Sequence, residues 1–278
     1  MSNRIKKIIT YIIKIILFVV IALMIMYPFF YAVITSLKTK ESFYQNPLGI
    51  TSDMTFQNYL TIWGNFSVGR KMVNTAIVVF TSTFIILFLS IPTAYFINKI
   101  SSYPIKKIVF FLLFIFIFIP EEVFIMTEYD MMSSMGLVNN FLSVIIIYSA
   151  SFLPETILFL CLYFQQIPKE FDEAAKLDGI DDFHYLIHFI IPIARSSILV
   201  LAITTIISLW NTFLVPMLLL YDESVKLIMP ALSGLITKHS NNPTYQMAGT
   251  LISMLPLILI YFLFKNKIFD NTIKGALK

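Results

Sequence analysis

The chain has 278 residues, 58% of them hydrophobic and 13% charged, with a formal net charge of +4. A soluble domain is about half apolar and about a quarter charged, so this composition excludes a soluble globular protein and points to an all-α polytopic membrane protein with one membrane domain. The positive charge gathers into no basic face, which argues against nucleic acid as a partner, and the lone cysteine, Cys161, excludes an internal disulfide.

From the N-terminus, MSNRIKK passes from basic residues into an apolar run that reaches Leu37. That run is longer than the ~7–15-residue core of a signal peptide and ends in no small-residue cleavage site. It reads as an uncleaved first span. A span needs ~20 mostly apolar residues, and six stretches qualify: roughly 11–36, 73–97, 105–127, 140–165, 193–220 and 246–265. Pro120 with Glu121 and Glu122 interrupts the third, and Asn211 with Pro216 the fifth. Between the first two spans, NPLGITSDMTFQNYL predicts turns followed by a short helix.

Lys and Arg set the orientation, because they accumulate in cytoplasmic loops. Fourteen fall on one side: Arg4, Lys6, Lys7 and Lys14; Lys99, Lys106 and Lys107; Lys169, Lys176 and Arg195; Lys265, Lys267, Lys274 and Lys278. Six fall on the other: Lys38, Lys40, Arg70, Lys71, Lys226 and Lys238. Both termini are therefore expected in the cytoplasm. The organisation expected is a tail and first span over 1–36, an external loop over 37–71, a core over 72–265 and a cytoplasmic tail over 266–278.

Within the core, residues 168–192 form a cytoplasmic loop of different character. Pro168 suits a first helical turn, where its missing N–H is no loss. Glu170, Asp172 and Glu173 place negative charge at the positive end of that helix. Phe171, Ala174 and Ala175 fall at i, i+3 and i+4 and form a small apolar face. Gly179 is a natural terminator, and Asp181 or Asp182 can cap a second helix carrying Phe183, Leu186, Ile187 and Ile190. Pro192 leads into the fifth span. The pattern predicts helix, glycine turn, helix, lying across the membrane face. Resting on lipid is the plain alternative, but interfacial helices are usually rich in Lys and Arg. Six acids against Lys169 and Lys176 favour docking onto a protein.

Two stretches resemble chemical motifs. GNFSVGRK, Gly64–Lys71, has the glycine spacing of a P-loop, but Arg70 stands at the lysine position and Lys71 at the Ser/Thr position. Nucleotide binding by this chain is not expected. His184 and His188 share a helical face with Asp181 preceding them, which raises a metalloenzyme. A metal needs three or four ligands, and His239 falls on the opposite side. Interfacial histidines framing a docking helix are the plainer reading.

Glu173, Ala174, Ala175, Gly179 and Pro192 match, in identity and spacing, the EAA loop of binding-protein-dependent ABC importer permeases. Phe189 and Ile191 stand where Ile and Leu are usual, and Ser196 where many members have a second proline. TSLKTKESFYQNPLGI, FQNYLTIW, NTAIVVFTSTFIILFLSIPTAYFINKI, QQIPKEFDEAAKLDG, SLWNTFLVPMLLL and NTIKGALK are similar to the maltose-type, smaller permease of the carbohydrate branch, in the same order along nearly the whole chain.

That resemblance implies a type I ABC importer (MetI-like) permease fold with six transmembrane helices, in the cytoplasmic membrane. It implies a transport subunit rather than an enzyme, with no cofactor. The partners implied are a second permease subunit forming a heterodimer, two cytoplasmic ATP-binding subunits and an extracytoplasmic solute-binding protein. It assigns ATPase coupling to Glu173, Ala174, Ala175, Asp178 and Gly179, with Phe171 and Leu177 supplying apolar packing and Pro192 joining the loop to the fifth span. An ion-gradient secondary transporter is the main alternative, but no inverted repeat of the kind such folds often show is found.

Acids within spans usually face a cavity, a partner or water. Glu122 follows the family habit of a polar residue after the third-span proline, whereas Glu121 and Glu155 stand where relatives have Gly and an apolar residue. These three, with Asn211 and Thr212 of SLWNTF, are the candidate pathway residues. For Glu121 and Glu122 the alternative is the external headgroup level, and for Glu155, just after Pro154 near the expected start of the fourth span, the external interface.

Overall fold

The computed structural model describes residues 3–238 and 242–276. Lys278 and His239, used in the readings above, lie outside the described residues. In chain order the helices are α1 (Asn3–Ser36), α2 (Lys40–Gln45), α3 (Gln57–Asn65), α4 (Val68–Lys99), α5 (Tyr103–Phe118), α6 (Ile125–Ser134) and α7 (Phe141–Phe164). They continue as α8 (Lys169–Leu177), α9 (Asp182–Tyr185), α10 (Ile191–Asn211), α11 (Leu214–Leu219), α12 (Ile228–Lys238) and α13 (Pro243–Ala276). Among the described residues the β-type pairing is a single bridge, Lys38 to Met54.

Among the described residues five helical segments are long and apolar enough to cross a membrane: Ile9–Ser36, Val68–Lys99, Phe141–Phe164, Asp182–Asn211 and Pro243–Lys265. Two expected spans change. The third ends at Phe118, so α5 has 16 residues and a length of about 24 Å, short of the ~30 Å hydrocarbon core. Pro120 then starts an extended step into a 3₁₀ turn, Glu121–Val123, and α6. The fifth begins at Asp182 and ends at Asn211, rather than running over 193–220, because Thr212 is extended with ψ 134°. Proline inside α1, α4, α7 and α13 does not end those helices, as is common where neighbours re-satisfy the freed backbone groups.

The chain divides into two compact units, one holding the residues up to Gly69 with Leu232–Leu255 and the other Arg70–Ala231 with the residues from Pro256. In the first, the most apolar window of Ile9–Ser36 is entirely unburied. Lipid is as apolar as its Ile, Phe and Leu side chains, so such a surface costs nothing there. Past Ser36 the chain enters a polar knot. Asn58 Nδ2 donates to the carbonyls of Ser36 (2.7 Å) and Lys38 (2.8 Å). Lys38, wholly buried, donates from Nζ to Asn46 O at 2.8 Å and Pro47 O at 3.0 Å. The short helix expected at FQNYL is α3; α2, opened by the Thr39 cap on Ser42 N, was not foreseen.

In the second unit α4 is the frame. Its 32 residues span about 48 Å, so one or both ends project beyond the hydrocarbon. At its start, Asn74 Nδ2 donates to Ser224 O and Lys226 O (3.1 and 3.2 Å), Ile228 N donates to Thr75 Oγ1 (2.9 Å), and Lys71 pairs with Glu223 (3.1 Å). These bonds fasten the loop between α11 and α12. The Lys226 hydrogen bond, against partial burial and helped by Lys71, holds the Glu223 carboxyl down to about 2. At the other end of α4, Asn98 Nδ2 donates to Cys161 O (2.9 Å) and Asn98 Oδ1 accepts from Gln165 Nε2 (3.0 Å), fixing α4 to α7.

Candidate functional site

The loop between α7 and α10 carries an acidic amphipathic helix, α8. Pro168 flanks it as the N-cap, one residue earlier than the first-turn position expected, with ψ 136°. The helix ends in two bonds of a Schellman closure: Ile180 N donates to Ala175 O (2.9 Å) and Gly179 N to Lys176 O (3.1 Å). That closure requires a left-handed residue, and Gly179 has φ +72°. Asp181 then caps the next helix by accepting from His184 N at 2.8 Å.

The second helix of the expected pair is not separate. Asp182–Asn211 forms one span, with a π turn at Leu186–Ile190 that ends two residues before Pro192. The ring of Pro192 would press on the carbonyl four residues back in a regular helix, and the wider turn eases that contact. Gly179, with its turn, is thus the joint between α8 and the span, and Pro192 lies inside the span.

The small apolar face also divides. Ala175 is 7% exposed and packs in a cluster with Tyr185, Leu186 and Ile190 from the start of the span, Ala94 and Tyr95 of α4, and Leu160, Cys161 and Phe164 of α7. Ile180 packs against the same cluster, completing the apolar contact that accompanies a Schellman turn. Burying Leu186 contributes about 2 kcal/mol. Ala174, Glu173 and Asp178 face outward with Gly179. Leu177 is 89% exposed, Phe171 52% and Phe183 65%. One alanine seats the helix, and its neighbours present a surface of acids and bare apolar side chains.

The sequence reading missed what anchors α8. Lys99, the last residue of α4, pairs with Asp182 at the start of the span and, at 3.3 Å, with Asp172 of α8. Its Nζ stands over the Tyr95 ring at 4.7 Å and the Tyr185 ring at 5.8 Å. The Tyr95 hydroxyl donates to Asp182 Oδ1 at 3.2 Å, and Lys176 braces Asp172 from within α8 at 2.7 Å. Partial burial pushes the Asp172 carboxyl up, but the Lys176 hydrogen bond and the Lys99 charge outweigh it and hold it below its ordinary range. In the sequence Lys99 counted only as an orientation charge. Its partner Asp182 is 83 residues away, and no local pattern announces the pair.

His184 and His188 stack with ring centroids 5.8 Å apart. His184 Nδ1 lies 2.8 Å from Asp181 Oδ2, and His188 Nδ1 donates to His184 O at 3.1 Å. Together with Gly179, Ile180 and Phe189 they line an open depression of about 430 Å³ beside α8. Among the described residues no three of His, Cys, Asp and Glu gather as a metal site.

The candidate pathway residues separate into two sets. Glu121 sits in the 3₁₀ turn after Pro120, and its Oε1 is buried without a hydrogen-bond partner among the described residues, as are Glu128 Oε2 and the Tyr148 hydroxyl. Tyr148 is fully buried, and Thr212 and Glu121 are the neighbours that act on its hydroxyl. Glu121 and Thr212 therefore meet around a tyrosine that the sequence reading did not single out. Glu122, Glu155 and Asn211 are exposed. Glu155 lies mid-helix in α7, one residue after Pro154, and not near the start of that span. Asn211 Nδ2 and Thr212 Oγ1 both donate back into α10, to Ile207 O at 2.7 Å and Ser208 O at 3.1 Å.

The family described as "Binding-protein-dependent transport system inner membrane component" matches this sequence over residues 62–273. The diacetylchitobiose uptake system permease protein NgcG of Streptomyces coelicolor is 23% identical over 259 residues, covering 92% of this chain and 85% of that protein. The melibiose/raffinose/stachyose import permease protein MelC of Bacillus subtilis is 26% identical over 252 residues, covering 90% and 91%. In structure the chain is similar to one chain of a bacterial ABC transporter involved in the import of the acidic polysaccharide alginate. The TM-score is 0.79 at 22% identity, with 96% of this chain and 98% of that one covered.

Proposed function

We propose, given that the chain belongs to the family of binding-protein-dependent transport system inner membrane components, that it is a permease subunit of an ATP-driven importer of a sugar or sugar derivative. The match over residues 62–273, which includes α8 and every span after the first, carries this reading. The naming of similar permeases for saccharide uptake supports the cargo class. The chain is a multi-pass membrane protein and a transport subunit, and ATP is hydrolysed by a separate partner.

The chain pairs with a second, different permease, and two ATPase subunits sit on the face where α8 lies. An extracytoplasmic binding protein delivers the solute, and both termini are cytoplasmic. Glu173, Ala174, Asp178 and Gly179 meet the ATPase, with Phe171 and Leu177 entering its apolar cleft. Ala175 holds α8 to the chain's own spans. An exposed leucine in water gains about 2 kcal/mol when a partner covers it, and the acids beside it select a basic rim. ATP-driven movement of the ATPase pair displaces α8 and switches the pathway between its two openings.

Within the pathway, Glu121 and Tyr148 offer hydrogen-bonding capacity to a hydroxyl-bearing solute, and the Thr212 hydroxyl, already donating to Ser208 O, can accept. Glu155, an exposed carboxylate in mid-span, is too costly against lipid, by about 2.5–3.5 kcal/mol, and faces the pathway or the second permease. The deciding experiment is purification of the complex followed by reconstitution in vesicles. Sugar uptake requiring ATP, the ATPase and the binding protein supports the reading. Uptake driven by an ion gradient with this chain alone refutes it.

A further inference from the structure

The geometry points to Lys99 as the positioning residue that ties the movement of α8 to two spans at once, a role that rests on α8 being the ATPase-docking helix. Three elements converge on its ammonium: α4, which carries it, α8 through Asp172 at 3.3 Å, and the start of the α9–α10 span through Asp182. Tyr95 and Tyr185 close over the group from α4 and from the span, so the cation is held between two aromatic faces and two carboxylates. Lys176 supplies the second positive charge, and the cluster of two lysines and two aspartates is neutral.

The covalent link from α8 to the span runs through Gly179, whose added Cβ would meet nothing within 4 Å. A glycine in open space transmits a push poorly, because its backbone dihedrals absorb the displacement. Two further links are the Ala175 and Ile180 packing, which is non-directional, and the Lys99 cluster, which is directional and charge-assisted. A force on α8 therefore reaches α4 and the span together through Lys99. The same bonds keep those two elements from moving separately.

The test uses the full complex reconstituted with its second permease, ATPase and binding protein, and reads sugar taken up per ATP hydrolysed. A residue needed only for folding changes the amount of complex and leaves that ratio alone. Lys99→Met keeps the aliphatic stem, and Asp172→Asn and Asp182→Asn each cut one arm. Lys99→Met and Asp172→Asn are expected to retain ATPase binding and to lower uptake per ATP about fivefold or more, the range of ordinary coupling energies. The double variant should be no worse than Lys99→Met alone. If Lys99→Met assembles poorly, Asp172→Asn carries the test, because it leaves the Lys99–Asp182 pair in place. Unchanged uptake per ATP in Asp172→Asn overturns the proposal while the docking reading stands. Leu177→Asp, which alters an outward side chain only, reports on the docking reading itself: undiminished ATPase capture by that variant overturns it, and the role of Lys99 falls with it.

Discussion

The backbone N–H of Ile180 donates to the carbonyl of Ala175 at 2.9 Å, so the chain reverses at once after α8 and brings that helix back against the Asp182–Asn211 span. The reversal depends on Gly179 at φ +72°. A side chain there meets no neighbour, so its cost is conformational alone.

Gly179→Ala should therefore fold and lose about 1 kcal/mol of stability in the loop, the penalty for an L-residue in the left-handed region. Gly179→Pro should open the loop, since proline holds φ near about −65°. Limited proteolysis after Leu177, followed with and without the ATPase, separates the two. Equal protection of both variants would sink the assignment of Gly179 as the joint.

Adjacent alanines should respond in opposite ways. Ala175→Leu forces three more carbons against Tyr185 and Leu186 and should cost about 1–3 kcal/mol by overpacking. Ala174→Leu adds them to an exposed position and should leave thermal unfolding of the purified chain unchanged while reducing ATPase capture. A stability loss in Ala174→Leu equal to that in Ala175→Leu would contradict the inward orientation of Ala175.

Glu223 should give the loop between α11 and α12 an acid-dependent stability. Its folded value is depressed to about 2 from an unfolded value of about 4.3, so the ionised carboxylate stabilises the fold. That contribution is complete above about pH 5 and is lost as the pH falls through about 2. The size is modest, because the side chain is more than half exposed to solvent screening. Thermal midpoints of wild type and Glu223→Gln should differ at neutral pH and converge near pH 2, and a gap that persists in acid would refute the assignment.

Tyr148→Phe removes a buried hydroxyl that has no hydrogen-bond partner among the described residues. Stability should hold or rise, since an unsatisfied polar group is costly. If the hydroxyl meets the solute, the half-saturating sugar concentration should rise about fivefold, the value of one ordinary hydrogen bond of about 1 kcal/mol. Unaltered uptake kinetics would take Tyr148 out of the pathway.

Much of the candidate site was legible before folding because its signals are local. The spacing from Glu173 through Gly179 to Pro192, the acids in the first turn and the glycine stop each act within a turn or two of backbone. The third span misled for a local reason as well. Its apolar run continues past Pro120, but the proline and the following acids turn the chain into a 3₁₀ segment, leaving α5 too short. The second helix expected in the 168–192 loop misled for the opposite reason. Pro192 read as a boundary, yet a π turn lets the helix continue through it.

By itself, then, the sequence determined that this chain lives in a membrane and that an acidic helix ended by Gly179 stands apart from the spans. Apolar run length, charge placement and helix stop signals are properties of contiguous residues, and they survive without tertiary context. Only the tertiary structure decided that Ala175 turns inward while Ala174 turns out, that Tyr148 gathers Glu121 and Thr212, and that Lys99 holds Asp172 and Asp182 together. Those relations depend on which faces of distant helices meet, and an ion pair between residues 83 apart has no periodicity that a sequence could display.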